Sequence, residues 1–266
     1  MRILFIGDIF GKTGINAIKE ILKKIKDENE IDFVIANAEN ATNCRGLSLE
    51  DYLTLNKYGV DFFTMGNHTW NNDDIYNLLI TKANIIRPYN INFQDKFNQY
   101  GTGSKIIKIK NFNVRITNLL GNSIRFNNIQ TNPFKALKEI INFDQLESDF
   151  HIVDFHSEST GEKNALFFEF KGKVSAILGT HTHIQTADER IRLGTAFITD
   201  IGSTGPSEGI LGAKPENVIK YFKNEINHFI IQEDDYSNFQ FCAVVIDLDE
   251  KTKKANSIKR IFIYGK

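Results

Sequence analysis

Cysteine is scarce in this chain. Of its 266 residues only Cys44 and Cys242 are cysteines, and they form no CxxC pair. A zinc ribbon, a thioredoxin-type redox pair and a disulfide framework are therefore excluded, and a reducing compartment is implied. An excess of either charge is also missing, since 32 basic side chains face 33 acidic ones for a net charge of -1. The chain thus carries no electrostatic footprint for duplex nucleic acid or an anionic membrane, and any nucleotide it handles is expected as a small molecule in a local site. Long apolar runs are lacking too. No stretch approaches the roughly 18 residues of a membrane helix. The apolar start of MRILFIGDIFGKTG breaks at Gly7 and Asp8, too early for a secretory signal. A cytoplasmic location is the expectation. Finally, there is no internal repeat, low-complexity linker or break in composition, which predicts a single domain over residues 1–266. What is present, 41% hydrophobic and 24% charged residues, is the composition of an ordinary globular protein.

Short β-rich apolar runs recur at 3–6, 33–37, 61–65, 105–110, 113–120, 151–155, 174–179 and 195–200. Near-continuous runs of this kind predict strands buried on both faces. Between them, Ile15, Ile18, Leu22 and Ile25 recur at steps of three and four over 14–29, an amphipathic helix. Residues 48–58 begin at Ser48, a candidate N-cap, and 71–80 carry Asn and Asp in the first turn, so both read as helices. Strand followed by helix at this spacing argues for βαβ units through the first 90 or so residues. Strands 105–110 and 113–120 read as a hairpin joined at Asn111 and Phe112, a helix at 133–147 leads to strand 151–155, and a second hairpin closes the chain near 239–248 and 257–264. The predicted class is α/β, with two packed mixed sheets flanked by helices.

In such folds ligands collect beyond the carboxyl ends of strands. Here those positions carry Asp8 after the first run, Glu39 and Asn40 after the second, Asn67 and His68 after the third, His156 and Glu158 after 151–155, and His181 and His183 after 174–179. Four of the six histidines fall there. Singly, Asp8 or Asn40 suits a helix cap or a turn, and His156 suits a hydrogen-bonded core. Together the residue types suit a hard or borderline metal. Three or four ligands satisfy one zinc, whereas Asp8, Glu39, Asn40, Asn67, His156, His181 and His183 are enough for two ions sharing a carboxylate. Two ions about 3.5–4 Å apart can hold a bridging hydroxide as nucleophile, orient a phosphate and stabilise both the attacking and the departing oxygen. His68, beside Asn67, is then placed to protonate a leaving alkoxide.

The strings GD-x-F, NAENA, MGNHTW, DFHSE, GTHTHIQTAD and TDIGSTGP-x-x-GILG resemble the calcineurin-like metallophosphoesterases, and within them the bacterial YmdB-type cyclic-nucleotide phosphodiesterases. GNH and GTHTH belong to the wider superfamily, while NAENA and DFHSE narrow the resemblance to that branch. The superfamily's usual D-x-H is replaced by Asp8-Ile9-Phe10, and phenylalanine cannot bind a metal. Asn40 takes over that ligand and Glu39 the bridging place, a departure that is the branch's own. By position, the resemblance implies Asp8, Glu39, Asn40 and His183 on one ion, Glu39, Asn67, His156 and His181 on the other, and His68 as general acid. It implies a metallophosphoesterase sandwich, iron as metal with manganese supporting activity and zinc not excluded, and a small phosphodiester as substrate, notably 2′,3′-cyclic nucleotides hydrolysed to 3′-nucleotides. Glu158 or Asp188 is expected to orient a ligand imidazole. A homo-oligomer is left open.

Rival patterns are weaker. Gly7 to Thr13 mimics a P-loop, but three residues rather than four separate its glycines, and Asp8 would repel phosphate. No G-x-S-x-G is present, which disfavours a serine hydrolase. Ser157 reads as a turn residue, Cys44 as a buried or loop thiol, Trp70 as core, and His151 and His228 as structural. A non-catalytic regulatory or scaffold protein on the same fold is the other reading. Its signature would be loss of the proton donor or the bridging carboxylate, and both His68 and Glu39 are in place.

Overall fold

The computed structural model describes residues 1–91, 100–124, 126, 131–143, 147–228, 231 and 238–266. Strand β1 (Arg2–Ile6) alternates its side chains between two cores, as the two-residue period of a strand requires. Ile3 and Phe5 enter an apolar layer shared with a second sheet, while Leu4 and Ile6 face helices. Both faces are covered, which is why the run is apolar throughout.

The first sheet runs β2 (Asp8–Ile9), β11 (Ser203–Pro206), β12 (Phe239–Leu248), β1, β3 (Phe33–Asn37) and β4 (Phe62–Thr64), with β13 (Ala255–Gly265) also on β12. β1, β3 and β4 are parallel, and β12 is antiparallel to β1. Helices α1 (Gly11–Asn29), α2 (Leu49–Lys57) and α3 (Asp74–Thr81) cover its outer face through residues such as Ile18, Leu22, Leu55 and Leu78. The second sheet runs β5 (Ser104–Ile109), β6 (Phe112–Leu120), β7 (Phe150–His156), β8 (Ala176–Thr180), β10 (Thr195–Ile198) and β9 (Arg190–Arg192). Here β6, β7, β8 and β10 are parallel. Leu137 of α4 (Pro133–Phe143) and Leu166, Phe167 and Phe170 of α5 (Thr160–Phe170) pack on its outer face against Val153, Phe155 and Ile177. A short α6 (Pro215–Phe222) follows β11. Two mixed sheets between helical layers are the expected class.

The helix reading holds with local shifts. Ser48 caps α2 as predicted, its hydroxyl accepting from Asp51 N at 3.1 Å. The stretch at 71–80 begins as a single 3-10 turn, Thr69–Asn71, and becomes α-helical only at Asp74. The predicted helix 133–147 is seen to Phe143; residues 144–146 lie outside the described residues. The first hairpin turns one residue earlier than expected, pairing Ile109 with Phe112, because Lys110 adopts a left-handed φ of 53°. Among the described residues no helix is long and apolar enough to cross a membrane.

Candidate metal centre

Parallel strands carry their carboxyl ends to the same edge of a sheet, and the two stacked sheets bring both edges together. β1, β3 and β4 present Asp8, Glu39, Asn40, Asn67 and His68 from one side, and β7 and β8 present His156, His181 and His183 from the other. Asp8, Glu39, Asn40, His156 and His183 are buried, and Asn67, His68 and His181 are half-buried.

Four of these groups meet at one atom. His156 Nε2 lies 2.9 Å from Glu39 Oε1, 3.1 Å from Asn67 Oδ1 and 3.0 Å from His181 Nδ1. The protonation of His156 follows from its other nitrogen. Thr180 donates its hydroxyl to the Asp154 carboxylate at 2.6 Å, so it must accept from His156 Nδ1–H at 2.9 Å. Nε2 is then the atom whose proton comes and goes. His181 gives its Nε2–H to Glu158 at 3.0 Å and, held down to about 3 by burial and by His156, stays neutral with a lone pair on Nδ1. Lone pairs of two nitrogens and two oxygens therefore converge, and one proton on Nε2 can bond only one of the others. Gly66 leaves the room for this, since a Cβ there would overlap Glu39 Oε2 and His156 Nε2.

A second set lies beside the first through Glu39. Asn40 Nδ2 stands 3.3 Å from Glu39 Oε1 and 3.2 Å from His183 Nε2, and His183 Nδ1–H donates to the Leu211 carbonyl at 3.2 Å. Asp8 accepts from His181 N through Oδ2 at 3.0 Å, but its buried Oδ1 has no hydrogen-bond partner among the described residues. A buried acceptor without a partner is costly, and a cation is the partner a carboxylate oxygen takes in such a place. The donor set fits transition metals: oxygen and imidazole nitrogen, with no thiolate among the groups in contact. Ligand atoms of Glu39, His156 and His181 all lie within 4.8 Å of one another, whereas Asp8 and His183 stand outside that group. Asn40 turns its amide nitrogen rather than its oxygen inward, so its use as a ligand requires the amide to flip.

The charges of the two buried carboxylates diverge. Burial opposes ionisation of Glu39, but His156, His68 and His181 outweigh it and hold the carboxyl well below its usual range. At Asp8 burial prevails over His156 and His183, and the carboxyl is raised. His156 is likewise opposed by burial, yet Glu39 and Asp8 lift it to about 9. The pocket is thus built to hold positive charge, and without metal a proton on His156 supplies it. That proton stabilises the fold fully below pH 6.5 and progressively less as pH rises to about 9. The melting temperature of chelator-treated protein is expected to fall across that window, while metal-loaded protein stays flat. Metal affinity is expected to rise about tenfold per pH unit as the competing proton is lost. A flat profile for the chelated protein would place the proton elsewhere.

Around this centre are groups that sequence reasoning missed. Asn71 Oδ1 accepts from His68 Nδ1–H at 3.1 Å, and the His68 backbone N–H reaches Glu39 Oε2 at 2.8 Å. The loop after β8 holds both histidines at positive φ, 101° for His181 and 65° for His183, a strained conformation for a residue with a side chain. It is pinned by His181 N on Asp8 and by Thr182 N on Asp200 Oδ2 at 3.1 Å. Asp200 in turn pairs with the fully buried Lys163 at 2.6 Å. Glu158 orients an imidazole as expected; Asp188 does not. Asp188 is spent on Thr186, Thr199 and Arg190, which hold it below its usual range despite partial burial. Lys12 of the P-loop mimic is exposed at the start of α1, while Asp8 of the same loop is buried in the centre. Ser157 is buried and donates to Glu162, Cys44 is buried, and His151 bonds Thr117 at 2.8 Å within the sheet.

The chain is similar over nearly its whole length to proteins of known name or structure. A Bacillus subtilis protein named 2′,3′-cyclic-nucleotide 2′-phosphodiesterase is 40% identical over 265 residues, covering 99% of this chain and 97% of its own length. A Mycoplasma pneumoniae crystal structure described as a novel phosphatase superposes with a TM-score of 0.95 at 41% identity, covering 99% of this chain and 93% of that one. A Thermus thermophilus crystal structure, described as a hypothetical protein, gives 0.90 at 30% identity over 99% of both chains. The family model described as "YmdB-like protein" matches residues 4–261. The chain belongs to the YmdB-like protein family.

Proposed function

We propose that this chain is a phosphodiesterase that hydrolyses cyclic nucleotides, 2′,3′-cyclic nucleotides to 3′-nucleotides first among them, on a pair of transition-metal ions. The observation that carries the reading is the convergence of Glu39, Asn67 and His181 on His156 Nε2, next to Asp8 Oδ1, which is buried 3.9 Å from His156 Nδ1 without a hydrogen bond among the described residues. The name of the Bacillus subtilis relative supplies the cyclic substrate. Glu39, Asn67, His156 and His181 would hold one ion and Asp8, Glu39, Asn40 and His183 the other. When bound, the ions neutralise phosphoryl oxygens and activate water. Iron or manganese suits this donor set, and zinc is compatible with it.

The chain's own groups do the rest. Glu39, the charge shared by both positions, is kept ionised at any pH where the protein works. His156 is fixed by Thr180 and Asp154, His181 by Glu158, and His183 by the Leu211 carbonyl, so each imidazole offers one defined nitrogen. His68, with its Nδ1–H committed to Asn71, exchanges a proton through Nε2 and protonates the departing ribose oxygen.

Reconstituted protein is expected to carry two transition-metal ions per chain by elemental analysis. Glu39→Gln should lower occupancy at both positions, because one carboxylate serves two cations. Chelator-sensitive hydrolysis of 2′,3′-cyclic nucleotides, with little turnover of nucleoside triphosphates, is the matching activity. One ion or none in the wild type sinks the dinuclear model, and triphosphate hydrolysis that survives both chelation and Asp8→Ala sinks the phosphodiesterase.

A further inference from the structure

Beside the histidine loop lies a cavity of about 330 Å³ that no residue of the proposed chemistry accounts for. His181 and His183 form one wall. The opposite wall is apolar, built from Phe10, Leu211 and, on α6, Val218 and Phe222. No lysine or arginine lines it among the described residues, and its one charged group, Glu158, is a carboxylate already engaged by His181, so the cavity itself supplies no cation to a phosphate. A larger cleft, about 400 Å³, lies at the opposite, amino-terminal ends of β7 and β8 among Asp149, Lys173 and Lys253, and touches no site residue.

The apolar wall is tied to the centre by backbone geometry. Ile210 and Ala213 exchange hydrogen bonds of 2.9 and 3.0 Å around a tight turn whose central residues, Leu211 and Gly212, both have positive φ, 54° and 86°. That conformation is easy for glycine and costly for leucine. It brings the Leu211 carbonyl to His183 Nδ1 while the Leu211 side chain lines the cavity. Gly212 lies so close to the Phe10 ring that a Cβ would press on it, and Phe10 meets His183 edge-on at 5.4 Å. One turn therefore sets both the orientation of His183 and the position of the wall.

We propose that this cavity is the base subsite: it takes the purine or pyrimidine of a nucleotide phosphodiester against Leu211, Val218 and Phe222, with the phosphate directed past the histidine wall to the ions that His181 and His183 would help hold. The inference rests on the phosphodiesterase reading. Its volume is at the small end of the range of about 300–1,000 Å³ typical of ligand sites, which suits one nucleoside rather than an oligonucleotide. The lining orients the ligand, since an apolar wall accepts a planar heterocycle, while the phosphate belongs with the ions that His181 and His183 would help hold. An apolar wall bearing the rings of Phe10 and Phe222 packs on the face of any base without reading its edge, so discrimination among bases is expected to be weak.

The test compares adenosine 2′,3′-cyclic phosphate with methyl riboside 2′,3′-cyclic phosphate, which lacks the base. Metal-loaded wild type is expected to prefer the base-bearing substrate by about tenfold or more in kcat/KM, the span that stacking provides. Phe222→Ala should collapse that ratio and Phe222→Tyr, which keeps the ring, should preserve it. Phe222 is 76% exposed, so its truncation leaves the core intact. Equal kcat/KM for the two substrates in the wild type, or a ratio unchanged in Phe222→Ala, overturns the subsite. Saturation-transfer NMR of adenosine on metal-free protein reads the cavity without catalysis. Saturation of the base protons, lost in Phe222→Ala, supports the proposal, and its absence in the wild type overturns it. Hydrolysis of neither cyclic phosphate by the wild type would instead overturn the phosphodiesterase reading, with the NMR result still deciding the cavity.

Discussion

His68→Ala is expected to keep its metal and lose roughly 10²–10⁴ in rate on a substrate whose leaving group is a ribose hydroxyl, the usual span for general acid catalysis. On bis(p-nitrophenyl) phosphate the same variant should lose little, because p-nitrophenolate departs without protonation. The geometry separates His68 from the converging groups. Its backbone N–H, which alanine retains, is what contacts Glu39, and its ring is bonded to Asn71 instead of to the cluster around His156. Asn71→Ala should give a milder form of the same selective loss, since it frees the tautomer without removing the imidazole. If His68→Ala strips a metal, or slows both substrates equally, His68 is a ligand or a phosphate-positioning group and the proton has another source.

The parts of this site that were legible in the sequence share one property: they follow strands. A buried parallel strand announces itself as an apolar run, its carboxyl end is where the run stops, and the polar residue there is conspicuous. Asp8, Glu39, Asn67, His156 and His181 were all visible in this way, and the sheets bring them together because β1, β3 and β4 run parallel, as do β7 and β8. The supporting groups had no such flag. Helix α5 buries Lys163, Leu166, Phe167 and Phe170 at steps of three, one and three, a regular inner face whose first member is a lysine, so apolar periodicity did not reveal it. The Leu211 carbonyl acts through the backbone, which no side chain signals. Asn71 lies in a single 3-10 turn without period. Asp154 had a signal that went unused: a carboxylate inside the apolar strand 151–155 must be partnered, and of its partners, Asn37 at 3.1 Å and Thr180 at 2.6 Å, Thr180 is the one that fixes His156. Burial raises Asp154 to about 6, which leaves it ionised at neutral pH to receive both.

Lys163 carries the other large expected effect. Its ammonium and the Asp200 carboxylate are 2.6 Å apart with both side chains out of water. Removing one partner from such a pair leaves a buried charge without its counterion, at a cost of about 3–5 kcal/mol. Lys163→Met is therefore expected to lower the melting temperature by on the order of 10 °C, taking about 2–4 °C per kcal/mol for a chain of this size. Asp200→Asn in the Lys163→Met background should recover much of the loss. Asp200 accepts from Thr182 N on Oδ2 at 3.1 Å and from Gly202 N on Oδ1 at 2.8 Å; the amide oxygen keeps one of these two bonds, so recovery is incomplete, but no lone charge remains. The pair also braces the strained loop that carries His181 and His183. Lys163→Met held well below its melting temperature should accordingly bind metal less tightly than the wild type, and the double variant should regain affinity along with stability. Additive losses in the two single variants, with no recovery in the double, would mean that Asp200 and Lys163 act separately and that the loop is held by Asp8 alone.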